Sequence, residues 1–311
     1  YSQAAQSVVT LQKRWDNLQD LSNEWLDMVL KNYQDITVEA YLNDESIEIE
    51  RIKDSKNDKL VRIRLLFTMS AFTKCFRPVS SYPIDFANLE VWLRADSGVT
   101  FDIPTKRVSA WADKSGKNNN VIQSTLADQP LRHGYGGQND KSYFSFDGLT
   151  DNMVSVNNSP IAKDFTIFEV SVIQKKESPV FGYDKGGAFI NIGTNTQGKF
   201  IVEIFDGSGT ASLKTISAAV LLGDTHLSVS TKNEKTLRLQ YYDSQNVITE
   251  TNTNVLFDEA FEFNANTFTV GKRTISYLEG NIQELIVYNR ALSNSEINSI
   301  TGYLNLKYKI Y

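Results

Sequence analysis

The side chains able to do chemistry in this chain are loop carboxylates, loop tyrosines and two histidines far apart in sequence. The stretch FDGLTDN sets Asp147, Asp151 and Asn152 together on a strand-end loop, and calcium, a hard cation, favours such oxygen clusters. It lacks the fixed ligand spacing of an EF-hand, and Asp and Asn are the default turn formers, which is the stronger reading. Tyr135 in RHGYGGQND, Tyr183 in FGYDKGG and Tyr277 in RTISYLEG lie in glycine-rich segments near Asp184 and Arg273. These five could line one rim as a ligand-binding set, although most loop tyrosines are simple anchors. Trp92 in VWLRA and Trp111 in SAWAD could stack on sugar rings, but their apolar settings favour burial. Asp113, in WADKSG, reads as a turn former with Gly116 at the bend.

Other chemistries find little material. His133 and His226 supply neither zinc-ligand spacing nor an obvious triad. The single cysteine, Cys75, allows no internal disulfide and reads as buried and inert. GTNTQGKF matches the first seven positions of a phosphate-binding loop, but Phe200 replaces the magnesium-binding hydroxyl and a strand-like run follows where a helix is needed. A hairpin turn explains it better. A net charge of −5 argues against nucleic acid, which requires clustered Lys and Arg. No run reaches the roughly 18 apolar residues of a membrane span, and no basic-then-apolar signal opens the chain. Its first residue is Tyr1, which leaves room for a removed leader or upstream region.

The elements that must position these groups fall into three stretches. Residues 1–34 predict a helix whose Val8, Leu11, Trp15, Leu18, Trp25 and Val29 recur three and four apart. That stripe either packs on its own chain or serves as an oligomerisation or docking face. Residues 35–85 predict a small β-rich attachment region ending in the linker RPVSSYPID. Residues 86–311 read as short strands between Gly, Asn, Asp and Ser clusters, the pattern of a β-sandwich. Near the end, NIQELIVYN is apolar on both faces, as a covered central strand requires. Ser293 and Glu296 then form a capping box, and Ile297, Ile300, Leu304 and Tyr308 give the following helix an apolar stripe despite Gly302.

The succession LEVWLRADSGVT, RVSAWADKSGKNNNVIQST, QPLR, YFSFDGLTDNMVS, FTIFEVSVI and GNIQELIVYNRALSNSEINSITGYLNLKYKI resembles laminin-G-like, concanavalin A-like jelly-roll domains of the kind found in phage virion and bacterial surface proteins. The resemblance implies an antiparallel jelly-roll β-sandwich with a C-terminal helix across an edge or end. It says less about function, because such a fold hosts many activities. Relatives of this fold include family 16 glycoside hydrolases with an E-x-D-x-x-E strand, which is missing here. Glu203 and Asp206 lie on opposite faces of one strand, and Asp258, Glu259 and Glu262 have the wrong spacing.

The expected function is therefore a non-enzymatic structural or adhesion protein, a virion component or cell-surface protein displaying the jelly roll outward, with no catalytic residues. Its expected partners are other copies through the N-terminal helix, virion or cell-surface proteins, and glycans, with no cofactor beyond calcium. The alternatives are a carbohydrate-binding module of a secreted bacterial protein and, less favoured, a glycan hydrolase.

Overall fold

The computed structural model describes residues 9–10, 49–53, 61–65, 83–158, 161, 163–185, 188–205, 211–245, 247–253 and 267–311. The chain divides into two compact units, Tyr1–Val79 and Ser80–Tyr311. In the first, β1 (Val9–Thr10), β2 (Ile49–Lys53) and β3 (Val61–Leu65) form an antiparallel sheet in the order β1-β3-β2. Val9 and Thr10 are thus extended, where a helix is expected from sequence. The expected oligomerisation face, Val8, Leu11, Trp15, Leu18, Trp25 and Val29, lies outside the described residues, as does Cys75.

The second unit is a sandwich of two large antiparallel sheets. One runs β15 (Ala211–Ala219), β14 (Lys199–Phe205), β13 (Ala188–Thr194), β12 (Pro179–Lys185), β19 (Phe268–Val270), β10 (Met153–Ser155), β7 (Val121–Ile122), β6 (Val108–Trp111), β5 (Val99–Phe101). The other runs β18 (Val247–Asn252), β17 (Thr236–Tyr242), β16 (Thr225–Asn233), β11 (Phe165–Ile173), β22 (Glu279–Tyr288), β9 (Tyr143–Asp147), β8 (Leu131–His133), with β4 (Leu89–Arg94) paired to the same edge of β22 as β9. Period-two alternation sends Phe165, Ile167 and Ile173 of β11 between the sheets and Phe168 and Val170 to the opposite face. Trp111 is fully buried in the inter-sheet core, and Asp113 takes the Trp92, Ser115 and Asn119 amides, so the expected burial and turn are both present.

A second core explains the covered strand. Helix α1 (Asn294–Tyr308) starts at the expected capping box: the Ser293 hydroxyl accepts from the Glu296 amide, and the Ser293 amide donates to Glu296 Oε2 at 2.8 Å. The Arg290 guanidinium beside Glu296 holds that carboxyl at about 2. The helix buries Ile297, Ile300, Leu304 and Tyr308 against Phe168, Val170, Leu227, Val229, Ile286 and Tyr288. At ~1.5–3 kcal/mol per large apolar side chain, this is a major share of the second core. The helix therefore lies across the outer face of the second sheet rather than across an edge or end, because these strands carry apolar residues on both faces.

Within this second core Glu284 is buried yet accepts four hydrogen bonds. Trp92 Nε1 and the Tyr303 hydroxyl donate to Oε1 at 2.7 and 3.0 Å; Lys307 Nζ and the Tyr308 hydroxyl donate to Oε2, both at 2.7 Å. Burial, followed by the Glu284 charge, pushes the Tyr303 and Tyr308 hydroxyls well above the ordinary phenol range.

Candidate functional site

The outer face of the first sheet carries no helix among the described residues. In β14 the inward residues are Phe200, Val202 and Ile204, which leaves Lys199, Ile201, Glu203 and Phe205 pointing out. In β13 the outward residues include Phe189 and Asn191. Register joins them into rows: Gly182, Asn191 and Glu203 are successive Cα partners, and so are Asp184, Phe189 and Phe205.

Across these rows lies a two-stranded hairpin, β20 (Lys272–Arg273) and β21 (Ser276–Tyr277), turning through Thr274 and Ile275. Gly182 permits its close approach: a Cβ there would meet the Lys272 carbonyl oxygen and, at 2.8 Å, Thr269 Oγ1. Gly271, with φ +79°, lets the chain leave β19 over the Phe146 ring. The hairpin delivers Arg273 onto the outer face, with its guanidinium carbon 3.6 Å from the Phe189 ring centroid and Nη1 3.4 Å from Glu203 Oε2.

Beside this pair opens a cleft of 220 Å³. Its lining includes Asn191, Ile201 and Glu203 from the sheet, Arg273 and Ser276 from the hairpin, and Glu177 and Asn195 from neighbouring turns. Asn191 Oδ1 is buried with no hydrogen-bond partner among the described residues. The cleft thus combines two carboxylates, a guanidinium and an unpaired amide oxygen, which suits recognition of hydroxyl-rich ligands and acid–base work.

Of the five side chains expected to bind ligand, the structure places one in the cleft. Arg273 lines the cleft, and Asp184 shares its face, opposite Phe189. Tyr183 is a correction: it stands in β12 rather than a loop, and alternation sends its ring into the inter-sheet core at 1% exposure. Tyr277 stands in β21 with Lys272 Nζ 4.9 Å from its ring centroid, outside the cleft lining. Tyr135 is 79% exposed on a distant loop, whose next residues Gln138 and Asn139 bond to the carbonyls of Lys309 and Lys307 at the end of α1. Glu203, set aside on sequence grounds as a surface carboxylate, belongs to the cleft. Asp206, weighed beside it, and the separate set Asp258, Glu259 and Glu262 lie outside the described residues.

The calcium reading is also corrected. Asp147 Oδ1 accepts the amides of Leu149, Thr150 and Asp151 at 2.9, 2.9 and 3.0 Å. Asp151 Oδ2 takes the Asp147 amide and Oδ1 takes Arg107 Nη1, while the Asn152 amide group donates to the Thr150 carbonyl. A cation would have to displace a guanidinium and unmake the turn. No group of three or more metal-capable side chains occurs among the described residues. Burial, then the Asp147 charge, pushes the Asp151 carboxyl up to about 6.

GTNTQGKF forms a hairpin turn as expected: Asn195 Oδ1 caps the Gln197 and Lys199 amides between β13 and β14. A Ser171, His226 and Glu169 group also occurs, but all three are fully buried and both partners meet the same ring nitrogen, Nε2, so no relay to a substrate exists.

No family model matches the chain, and no curated protein matches it. Among solved structures, a GH54 α-L-arabinofuranosidase soaked with 4-nitrophenyl α-L-arabinofuranoside superposes with a TM-score of 0.51 at 10% identity, over 73% of this chain and 61% of that one. A Trypanosoma rangeli sialidase bound to sialic acid gives 0.49 at 12% identity, over 85% and 45%. Domain 4 of AbnA, a GH43 arabinanase from Geobacillus stearothermophilus, in complex with arabinotriose, gives 0.48 at 11% identity, over 70% and 98%. The chain therefore spans about three-fifths of the arabinofuranosidase. At 10% identity the likeness establishes a mainly β sandwich and nothing finer. The finding that stands against the expectation of a non-enzymatic virion or cell-surface structural protein is that the arabinofuranosidase, an enzyme, shares this sandwich. No described helix is long and apolar enough to cross a membrane.

Proposed function

We propose that this chain is a glycan-directed protein of the glycoside hydrolase kind, with the outer-face cleft as its site. The observation that carries the reading is Asn191 Oδ1, buried without a partner beside the Glu203 and Arg273 pair, because an unpaired buried acceptor costs ~1–3 kcal/mol unless a ligand group satisfies it. Asn191 and Arg273 would orient sugar hydroxyls. Glycosidic cleavage needs two carboxyl groups flanking the bond, one to protonate the leaving oxygen and one to act as nucleophile or base. Glu203, beside the guanidinium, takes the carboxylate role, and Glu177, which also lines the cleft, takes the proton-donor role.

The arabinofuranosidase among the structural neighbours makes 4-nitrophenyl α-L-arabinofuranoside the first substrate to try. The finer kinship, a laminin-G-like jelly roll, is proposed on the ordered motifs of residues 86–311. Self-association through residues 1–34 is likewise a proposal, decided by the oligomeric state after their deletion.

Release of nitrophenol from a panel of nitrophenyl glycosides, and of reducing ends from polysaccharides, tests the function. Glu203→Gln and Glu177→Gln should each lower the rate by about 10²-fold or more without altering the thermal transition greatly. No release and no glycan binding across the panel, or undiminished rates in both variants, would overturn the reading.

A further inference from the structure

We infer that the cleft accepts a single terminal sugar residue, and that the Lys272–Tyr277 hairpin is the wall that stops a glycan chain from running across the sheet. The inference rests on the glycan reading above and names its substrate class: chain ends rather than chain interiors.

Three observations carry it. At 220 Å³ the cleft is smaller than the roughly 300–1,000 Å³ of sites for drug-sized ligands, so it suits about one ring rather than an oligosaccharide. It is also closed on two sides among the described residues. The hairpin stands on one, with Arg273, Thr274 and Ser276 in the lining; on the other the Asn195 turn meets the segment of Glu177, whose amide donates to the Asn195 carbonyl at 3.3 Å.

The third observation is the row beyond the hairpin. Register continues from Glu203 and Asn191 through Gly182 to Thr269, Val154 and Ile122. With strands ~4.8 Å apart, that row crosses about 24 Å of sheet, ample for several sugar rings. On the cleft side it presents Glu203 and Asn191. Past the hairpin it presents Val154 and Ile122, which offer neither hydrogen bonds nor a flat aromatic ring. A chain crossing the sheet would have to climb the hairpin and would next meet Val154 and Ile122, which give it no hydrogen bonds.

The hairpin can be lifted without substituting a cleft residue, and Arg273, Thr274 and Ser276 move with it. At Gly182 an added Cβ meets the Lys272 carbonyl oxygen, Thr269 Oγ1 at 2.8 Å and Arg273 Cβ at 3.3 Å, so Gly182→Ala cannot seat the hairpin as it stands. The experiment measures affinity for arabino-, xylo- and gluco-oligosaccharides of one to six residues, together with the first products from the longest one cleaved. For the unaltered protein, affinity should change less than about threefold with chain length, and the monosaccharide should be the first product. Affinity that climbs tenfold or more out to four residues, or oligosaccharides as first products, would overturn the inference while leaving the glycan reading intact. Binding to no member of any series would overturn both. In folded Gly182→Ala the preference should shift toward longer chains by about tenfold; an unchanged length profile would count against the hairpin as the wall. If that variant does not fold, the length series on the unaltered protein decides alone.

Discussion

The two outer faces of the sandwich each hold a glutamate, and the two are handled in opposite ways. Glu284, beneath α1, is 1% exposed and receives four donors from Trp92, Tyr303, Lys307 and Tyr308. Glu203, on the uncovered face, keeps about a quarter of its side chain exposed and has one long contact to Arg273. A buried charge is tolerated when its lone pairs are filled, and a filled carboxylate has nothing left for a ligand. The difference teaches that donor count, more than residue type or strand position, separates a structural glutamate from an available one here. Asp151 stands between them. It is buried with two donors and a second carboxylate nearby, and its proton affinity is raised accordingly.

The sharpest way to break the comparison is to empty the filled site. Glu284→Ala strands two hydroxyls and an indole N–H in an apolar layer and leaves the Lys307 ammonium with Asp96 alone, at 3.1 Å; breaking a buried ionic group of this kind costs about 3–5 kcal/mol. For a domain of this size that is a fall of roughly 10 °C in Tm, with α1 the first element to lose hydrogen-exchange protection. A fall of only a degree or two would mean that the four contacts do not hold the helix.

Asp151 gives a smaller effect with a diagnostic pH dependence. Its folded value, about 6, lies above the ordinary 3.8. Its contribution to stability is therefore full below pH 3.8 and is lost as pH rises through about 6. Asp151→Asn should remove that dependence, so the variant gains on the unaltered protein by on the order of 2 kcal/mol between pH 4 and 7. Parallel Tm profiles for the two proteins would show that the carboxylate is satisfied like Glu284. Smaller still is Ser293→Ala, which removes the cap of α1 and should cost about 1 kcal/mol, or 2–4 °C in Tm.

The sealed face was far more legible in the sequence than the open one. The capping box, the Ile297, Ile300, Leu304 and Tyr308 stripe and the doubly apolar NIQELIVYN are local patterns, and they fix the helix, the strand and their apolar contact. That the helix covers a whole sheet face was not local: it depends on Phe168, Val170, Leu227 and Val229, each in a strand that could equally have been an edge. The cleft was legible only in fragments. Alternation in KFIVEIF puts Ile201 and Glu203 on one face, and glycines around Arg273 mark a turn. No local signal, however, joins Glu203 to a residue seventy positions away. Loop tyrosines misled because glycine-rich FGYDKGG looks like a loop, whereas Gly182 is a strand residue that makes room for a hairpin. Asn191 carried no signal at all, since an asparagine in a strand becomes informative only when its partners are counted.

The smallest stability effect is the one that bears hardest on function. Exposed or half-exposed ion pairs contribute ~0–1 kcal/mol, and at 3.4 Å the Arg273 and Glu203 contact belongs at the low end. Glu203→Gln should therefore leave the thermal transition within about 2 °C, since the amide can still accept from Arg273 and Asn191 already lacks a partner. The same substitution should abolish most glycoside cleavage, because a neutral amide can neither attack an anomeric carbon nor hold a proton from water. Large loss of rate with unchanged Tm is the opposite of what Glu284→Ala should show, where folding fails first. If instead Glu203→Gln lowers Tm as steeply as Glu284→Ala, then Glu203 is a structural carboxylate with donors beyond Arg273, and the cleft loses the group on which its chemistry depends.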